Sequence, residues 1–323
     1  MNESIFIVGQ GIAGSMLAWN CERHGIDFRI FDPGHARAAS RVGAGLLSPV
    51  TGKRLAPSWG FAAWRDSVLA DYRQLETELG EKFVRELSIR RSFRDDAQRE
   101  YFRERSRLPS ISPWIDRLDD EAIWLRGAIQ VETGKLISAL RRKWIRQGKL
   151  VEQEFEGSSD AGTSPVIWCT GGAPPPGIRI PWEPSRGEIV TGRLSGLAED
   201  IVLNDGQWLL PSGDGEVRVG STFDRENLTA GSTSSGRKLL AEAAERLAGE
   251  PLTDVVGDAG LRVTVPDHRP VVGWLDLSRA VGIFAGLAAK GALWAPALAK
   301  QWTADGLAGE YLASEVRTAR YSG

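Results

Sequence analysis

The chain has 323 residues and a mass of 35.2 kDa, with 42% hydrophobic and 25% charged residues, the composition of a globular protein large enough for two domains. Forty basic residues against 42 acidic ones give a net charge of −2, which exerts no global pull on nucleic acid or an anionic membrane. Two cysteines and three scattered histidines offer neither a disulfide framework nor metal-ligand spacing, so no metal site is expected.

Ser4 to Val8 (SIFIV) is apolar and β-branched, which predicts a strand buried on both faces. No basic leader precedes it and no run of 18 apolar residues occurs, so the expectation is a cytoplasmic protein without a membrane span. GQGIAGS comes next. Ile12 to His24 then reads as a helix stopped by Gly25, and Phe28–Phe31 as a second strand ending in Asp32. A lone G-x-G-x-x-G is a weak signal. Between a strand and a helix, with an acidic residue 23 positions after Gly9, it becomes a dinucleotide-binding fingerprint.

Each part of the fingerprint has a physical task. Gly9 permits the tight turn, Gly11 lets the backbone approach a pyrophosphate, and Gly14 lets the helix lie close to the sheet. Ile12 and Ala13 open the helix, whose unpaired N–H groups and positive dipole end favour phosphates. Asp32, followed by Pro33, supplies a carboxylate for an adenosine ribose and argues against a 2′-phosphate. The competing reading is an ordinary βαβ unit with incidental glycines.

A contiguous nucleotide-binding domain would continue with further strand-helix units, but the chain runs into HARAASRVGAGLLSPVTGKRLAPSW and then a long charged region. Lys53 and Arg54 read there as surface charge. Lys82 to Arg107 holds nine basic and five acidic residues, interleaved as in Arg94, Asp95, Asp96 and Arg99. That pattern predicts a solvated helix face and no nucleic-acid partner. KLISALRRKWIRQGK predicts a packed helix with an apolar stripe of Leu136, Ile137, Leu140 and Trp144. KLVEQEF follows as a strand, with the backbone near Val151 expected against the adenine.

The sheet resumes at SPVIWCTGG, a strand from Val166 to Cys169 closing on Thr170, Gly171 and Gly172. GAPPPGIRIPWEPSRG is proline-rich and marks an exit into another domain, where Arg237 to Leu247 predicts a helix. Val281–Ala285 is a last strand, followed by a small-residue loop and a helix from about Trp294. Three separated segments thus build one nucleotide-binding domain, residues 1–75, 130–178 and 256–323. Residues 76–129 and 179–255 form a second, substrate-binding domain. This layout suits a flavin, long enough to run from the first helix to a second helix start whose dipole meets the N1–C2 edge of the ring.

In chain order, FIVGQGIAGSMLAW, FDPGHARAASRVGAGLLSPVTG, VIWCTGG, LLPSGDGEVRVGSTFD, GLRVTVPDHRPVVGW and GLAAKGALWAP resemble the successive blocks of the D-amino-acid-oxidase-like flavoproteins. That group includes glycine oxidase, sarcosine oxidase and the oxidase domain of a bifunctional tRNA wobble-uridine modification enzyme. The resemblance spans the chain except residues 60 to 130. It implies an α/β architecture of the glutathione-reductase type, with a Rossmann-like FAD-binding domain and an inserted mixed or antiparallel-sheet substrate domain. The activity it implies is hydride transfer to flavin N5 from a carbon bearing an amine, in a small amino or imino acid. Covalent attachment in some relatives needs a cysteine in the C-terminal third, and neither Cys21 nor Cys169 lies there. Non-covalent FAD is therefore expected.

The same resemblance assigns individual residues. Arg262 matches the arginine that grips the substrate carboxylate, and a guanidinium fork suits that task; the alternative is a structural ion pair with Asp258 or Asp267. Lys290 falls near flavin N5 or the C4 carbonyl, where a lysine can assist oxygen chemistry or bind a carboxylate; alternatively it caps loop carbonyls. Ser40, Arg41, Gly45 and Leu46 match the stretch passing from phosphate to isoalloxazine, and Gly286, Leu287 and Gly291 match the C-terminal block against the ring. Ala288 and Ala289 are smaller than their counterparts in glycine oxidase, which leaves the substrate class open.

Of Trp182, Trp208 and Trp274, Trp208 is the choice for a pocket wall, His268 reads as a turn residue, and no tyrosine falls in the substrate-sheet blocks. The partners expected are a small amine substrate and oxygen or another electron acceptor. Oxidation of a 2-hydroxy acid, and an FAD module acting on a tRNA-linked amine, are the alternatives.

Overall fold

The computed structural model describes residues 4–34, 38–157, 163–171 and 179–321. His35 and residues 172–178, the first part of the proline-rich exit, lie outside the described residues.

A six-stranded sheet follows the order Val271–Trp274, Val281–Ala285, Val166–Trp168, Ile5–Val8, Phe28–Phe31, Leu150–Val151. All its pairings are parallel except that of Val271–Trp274 with Val281–Ala285. Three distant segments of sequence therefore share one sheet. The helix Ile12–Arg23 is buried through its first ten residues and packs against the helix Gly291–Thr303, which also meets Phe61–Leu79. Met16, Trp19, Phe284 and Trp302 are at most 0% exposed in this core, which explains why so apolar a first helix forms at all. On Thr133–Arg146, Leu136, Ile137, Leu140 and Trp144 form the expected buried stripe.

A nine-stranded mixed sheet follows the order Thr253–Thr264, Glu183–Arg193, Glu216–Gly220, Trp208–Gly213, Ile201–Asn204, Val84–Ser92, Ala122–Val131, Leu46–Leu47, with Ile115–Leu118 also on Ala122–Val131. One face is covered by the helix Ser234–Ala248, against Val190, Leu209 and Val219. Residues of the other parity, such as Ile189 and Trp208, face a cleft. This is the period-2 alternation of a strand with different neighbours on its two faces.

Several expectations change. Val84–Ser92 is a strand, and only Asp96–Ser106 is helical, capped by the Asp95 carboxylate on the Gln98 N–H at 2.7 Å. Leu87, Ile89 and Arg91 are buried and alternate with exposed or half-exposed neighbours, so pairing with Ala122–Val131 overrides the helical look of the charges. Leu46–Leu47 and Thr253–Thr264 join the nine-stranded sheet although both were expected largely with the cofactor segments. Local apolar pattern marks a strand without naming its partner; long-range pairing decides that. The last helix begins at Gly291, three residues before Trp294.

Candidate active site

A cleft of about 1310 Å³ opens between the two sheets. On the side of the six-stranded sheet it is lined by Gly9, Gly11, Ile12, Ala13, Asp32, Pro33, Ser40, Thr170 and Gly171. Gly45, Leu46, Gly286, Leu287 and Gly291 also line it, with Trp208, Arg262 and Lys290. Gly14, Arg41 and Val151 do not. Gly14 lies beneath the turn: a Cβ there would sit 2.0 Å from the carbonyl oxygen of Gly9, so the helix can approach the strand only with glycine. The Arg41 side chain is exposed. The Val151 carbonyl accepts the Asp32 N–H at 3.1 Å, which fixes the strand edge, and the chain turns Glu154 and Phe155 to the cleft instead.

Gly9 has φ +98°, a left-handed backbone that a side chain would strain. The Ile12 N–H, at the start of the helix, donates to Ser40 Oγ at 3.0 Å. The Asp32 carboxylate accepts the Gln10 N–H at 2.6 Å and pairs with Arg141 at 3.0 Å. Arg141 and the aromatic group of Phe31, Phe155 and Trp168 were missed in sequence. Phe155 stands 5.2 Å from Phe31 and 5.7 Å from Trp168, edge to face, and all three line the cleft. Nothing in the charged run EQEFEG marks Phe155; its role arises from folding.

Arg262 is half-buried, and burial alone pushes its pKa down. Among the described residues it has no ion pair: its one hydrogen bond runs from Nη2 to the Thr222 carbonyl at 3.4 Å, and Asp267 pairs with Arg320 instead. The structural ion pair with Asp258 or Asp267 does not form. Lys290 Nζ donates to Ser58 Oγ at 3.0 Å, and Ser58 in turn donates to the Ser48 carbonyl. Among the described residues it caps no loop carbonyl, and burial pushes its pKa down to about 8.

The Trp208 ring covers Gly220, where a Cβ would meet it at 2.4 Å, whereas Trp182 and Trp274 pack into cores away from the cleft. His268 is an exposed turn residue with φ +54°, its N–H on the Val265 carbonyl. No tyrosine lines the cleft among the described residues.

The sequence model of one family, FAD dependent oxidoreductase (DAO), matches residues 4–305. The chain belongs to this family. It is an FAD-dependent oxidoreductase, and the glycine turn, helix start and carboxylate at Asp32 fit the dinucleotide such enzymes hold. It is 29% identical over 321 residues to a tRNA 5-methylaminomethyl-2-thiouridine biosynthesis bifunctional protein of Maricaulis maris, covering 94% of this chain and 52% of that protein. The chain thus spans about half the length of that curated relative. It is 23% identical over 313 residues to a glycine oxidase of Pseudomonas aeruginosa, covering 84% of this chain and 86% of the relative. Its fold matches an iminodiacetate oxidase of Chelativorans sp. BNC1 with TM-score 0.74 at 22% identity over 98% of each chain. A glycine oxidase of Geobacillus kaustophilus matches with TM-score 0.75 at 18% identity over 94% of each. No helix among the described residues is long and apolar enough to cross a membrane.

Proposed function

We propose that this DAO-family protein oxidises the C–N bond of a small amino or imino acid, with the six-stranded sheet carrying FAD and the nine-stranded sheet carrying the substrate. The observation behind this reading is Arg262: a guanidinium lining the cofactor cleft with no ion pair among the described residues, free to take a carboxylate through two parallel hydrogen bonds. Such a grip fixes the adjacent carbon, and orientation is the protein's main contribution when a cofactor carries the chemistry. Bound FAD supplies the hydride acceptor.

Gly9 makes the turn, its N–H kept on the Phe31 carbonyl, while Gly11 and Ala13 offer backbone N–H groups to the pyrophosphate beside Ile12 and Ser40. Asp32 takes the ribose, and Phe155 and Trp168 flank the adenine in the place expected of Val151. Gly45, Leu46, Gly286, Leu287 and Gly291 pass close to the ring, and Lys290 adds positive charge beside it. Trp208 walls the substrate and excludes water.

Anaerobic addition of D-, L- and N-alkyl amino acids to the yellow holoprotein tests this reading. Bleaching by one class supports it, with Arg262→Ala raising that substrate's KM about a hundredfold or more. Bleaching by no amino acid, or an unchanged KM in Arg262→Ala, overturns it.

A second reading, a tRNA-linked amine as substrate, is favoured by the 29% identity to the tRNA-modification protein. It requires RNA affinity that falls steeply with salt.

A further inference from the structure

Five cations line the cleft, Lys53, Arg91, Arg94, Arg262 and Lys290, against two carboxylates, Asp32 and Glu154. Both carboxylates belong to the fingerprint side, and Asp32 is already paired with Arg141. The wall made by the nine-stranded sheet and the loop at 51–53 is positive without compensation. Arg262 answers to one carboxylate. Arg91 is left over.

Arg91 is only 8% exposed, yet its charge meets no acid among the described residues. Its guanidinium donates Nη2 to the Gly52 carbonyl at 2.7 Å and stacks 4.9 Å from the Phe102 ring centroid. Burial and then the like charge of Arg94 push its pKa down to about 10, so the site is strained by charge in the direction an anion would relieve. A structural arginine of the same sheet looks different. Arg186, equally buried, is held by Glu188 at 2.9 Å and Asp224 at 3.0 Å.

Arg91 is also too far from Arg262 to share a carboxylate with it. Register places Arg91 beside Asn204, Asn204 beside Trp208, Trp208 beside Gly220 and Gly220 beside Ile189, all with the cleft parity. The strand of Arg262 is the next one over. Five strand spacings, about 24 Å along the sheet at ~4.8 Å each, separate the two backbones. That row passes Trp208 and reaches the strand of Arg262 at Asp258, four residues along from Arg262 itself. The cleft therefore presents cation, aromatic face, cation.

We propose that Arg91, with Arg94 beside it, is a second anion subsite, and that the substrate is an elongated amino or imino acid whose amine substituent ends in another anionic group, a carboxylate or a phosphate. This rests on the reading of Arg262 as the first carboxylate anchor.

The test is calorimetric titration of the holoprotein, its flavin already reduced and oxygen excluded, by N-(ω-carboxyalkyl)glycines of about six to fourteen methylenes, the length that about 24 Å between strands calls for, and by N-alkylglycines of matching length. N-(ω-phosphonoalkyl)glycines form a third series. At the best length a dianion should bind about tenfold or more tighter than its monoanionic match, a charge-assisted hydrogen bond's worth. In Arg91→Gln that ratio should fall to near one, and in Arg91→Lys part of it should return; flavin content and melting temperature in each variant report the fold.

A phosphonate preferred over the carboxylate names phosphate as the natural group, and the reverse names carboxylate. A wild-type ratio near one at every length overturns the proposal, as does a ratio that survives Arg91→Gln. Arg262→Gln separates the two readings: if it leaves both series unaffected while the Arg91-dependent ratio persists, the Arg262 assignment fails and the Arg91 subsite stands.

Discussion

The guanidinium of Arg262 lies directly over Gly187 on the neighbouring strand, where a Cβ would sit 1.7 Å from Nη2. The missing side chain at 187 is the space in which the candidate carboxylate anchor rests. Gly187→Ala should therefore act on substrate binding more than on folding, because what it displaces is the flexible end of a side chain. The expected result is a KM for amino-acid substrate raised about tenfold or more with flavin content retained and a melting temperature within a few degrees of wild type. A KM left at the wild-type value would show that Arg262 does not work from this position.

Asp32 and Arg141 form the second pair of consequence. The guanidinium, 3.0 Å from Asp32 and also bonded to Glu152 at 3.0 Å, lies on a helix 109 residues away in sequence, so the carboxylate proposed for the ribose is oriented by an element outside the fingerprint. Arg141→Met keeps the volume and removes the charge partner of a buried carboxylate. Roughly 3–5 kcal/mol of stability should go with it, and flavin should be lost on dilution at concentrations the wild type tolerates. Differential scanning calorimetry with and without added FAD reads both effects, and an unchanged flavin affinity would remove Arg141 from the cofactor site.

The sequence is legible where one residue type has one physical reason to be there. GQGIAGS, Asp32 and the strands Phe28–Phe31 and Val281–Ala285 stand where their local patterns put them. The route from VIWCTGG and GLAAKG back to the first strand was legible too, because short apolar runs ending in glycine have few other uses. What was not legible depends on partners chosen at long range. VRELSIRRS carries helix-like charge spacing, yet it pairs as a strand and turns Arg91 inward. Phe155 sits in a charged loop that local pattern gives no reason to bury. Arg141 reads as one cation among several on a basic helix face until the fold brings Asp32 to it.

The flavin should be held without a covalent bond. Cys21 and Cys169 are buried, and burial pushes the Cys21 thiol up to about 12 and Cys169 further still, so neither is a thiolate near neutral pH. Acid precipitation of the holoprotein should leave all the yellow colour in the supernatant, with the polypeptide at its sequence mass. Flavin retained on the pellet would contradict this.

Lys290 gives the cleft a charge that switches near its working pH. With its pKa held at about 8 by burial, the ammonium is present below that pH and is lost as pH rises through it. Affinity for a small carboxylate ligand, read from the bound flavin's absorption, should weaken above about pH 8 by up to about tenfold per unit, the limit for one proton. Stability moves the other way. The folded pKa lies below the ordinary lysine value of 10.5, so between about 8 and 10.5 the unfolded chain binds the extra proton and folding stability rises with pH. Weakened affinity across that window therefore cannot be put down to this group unfolding the protein. In Lys290→Met the affinity should be low already at pH 7 and flat across the range, while Lys290→Arg should bind at pH 7 and stay flat to pH 9.5. A pH dependence that survives in Lys290→Met would assign the titration to another group.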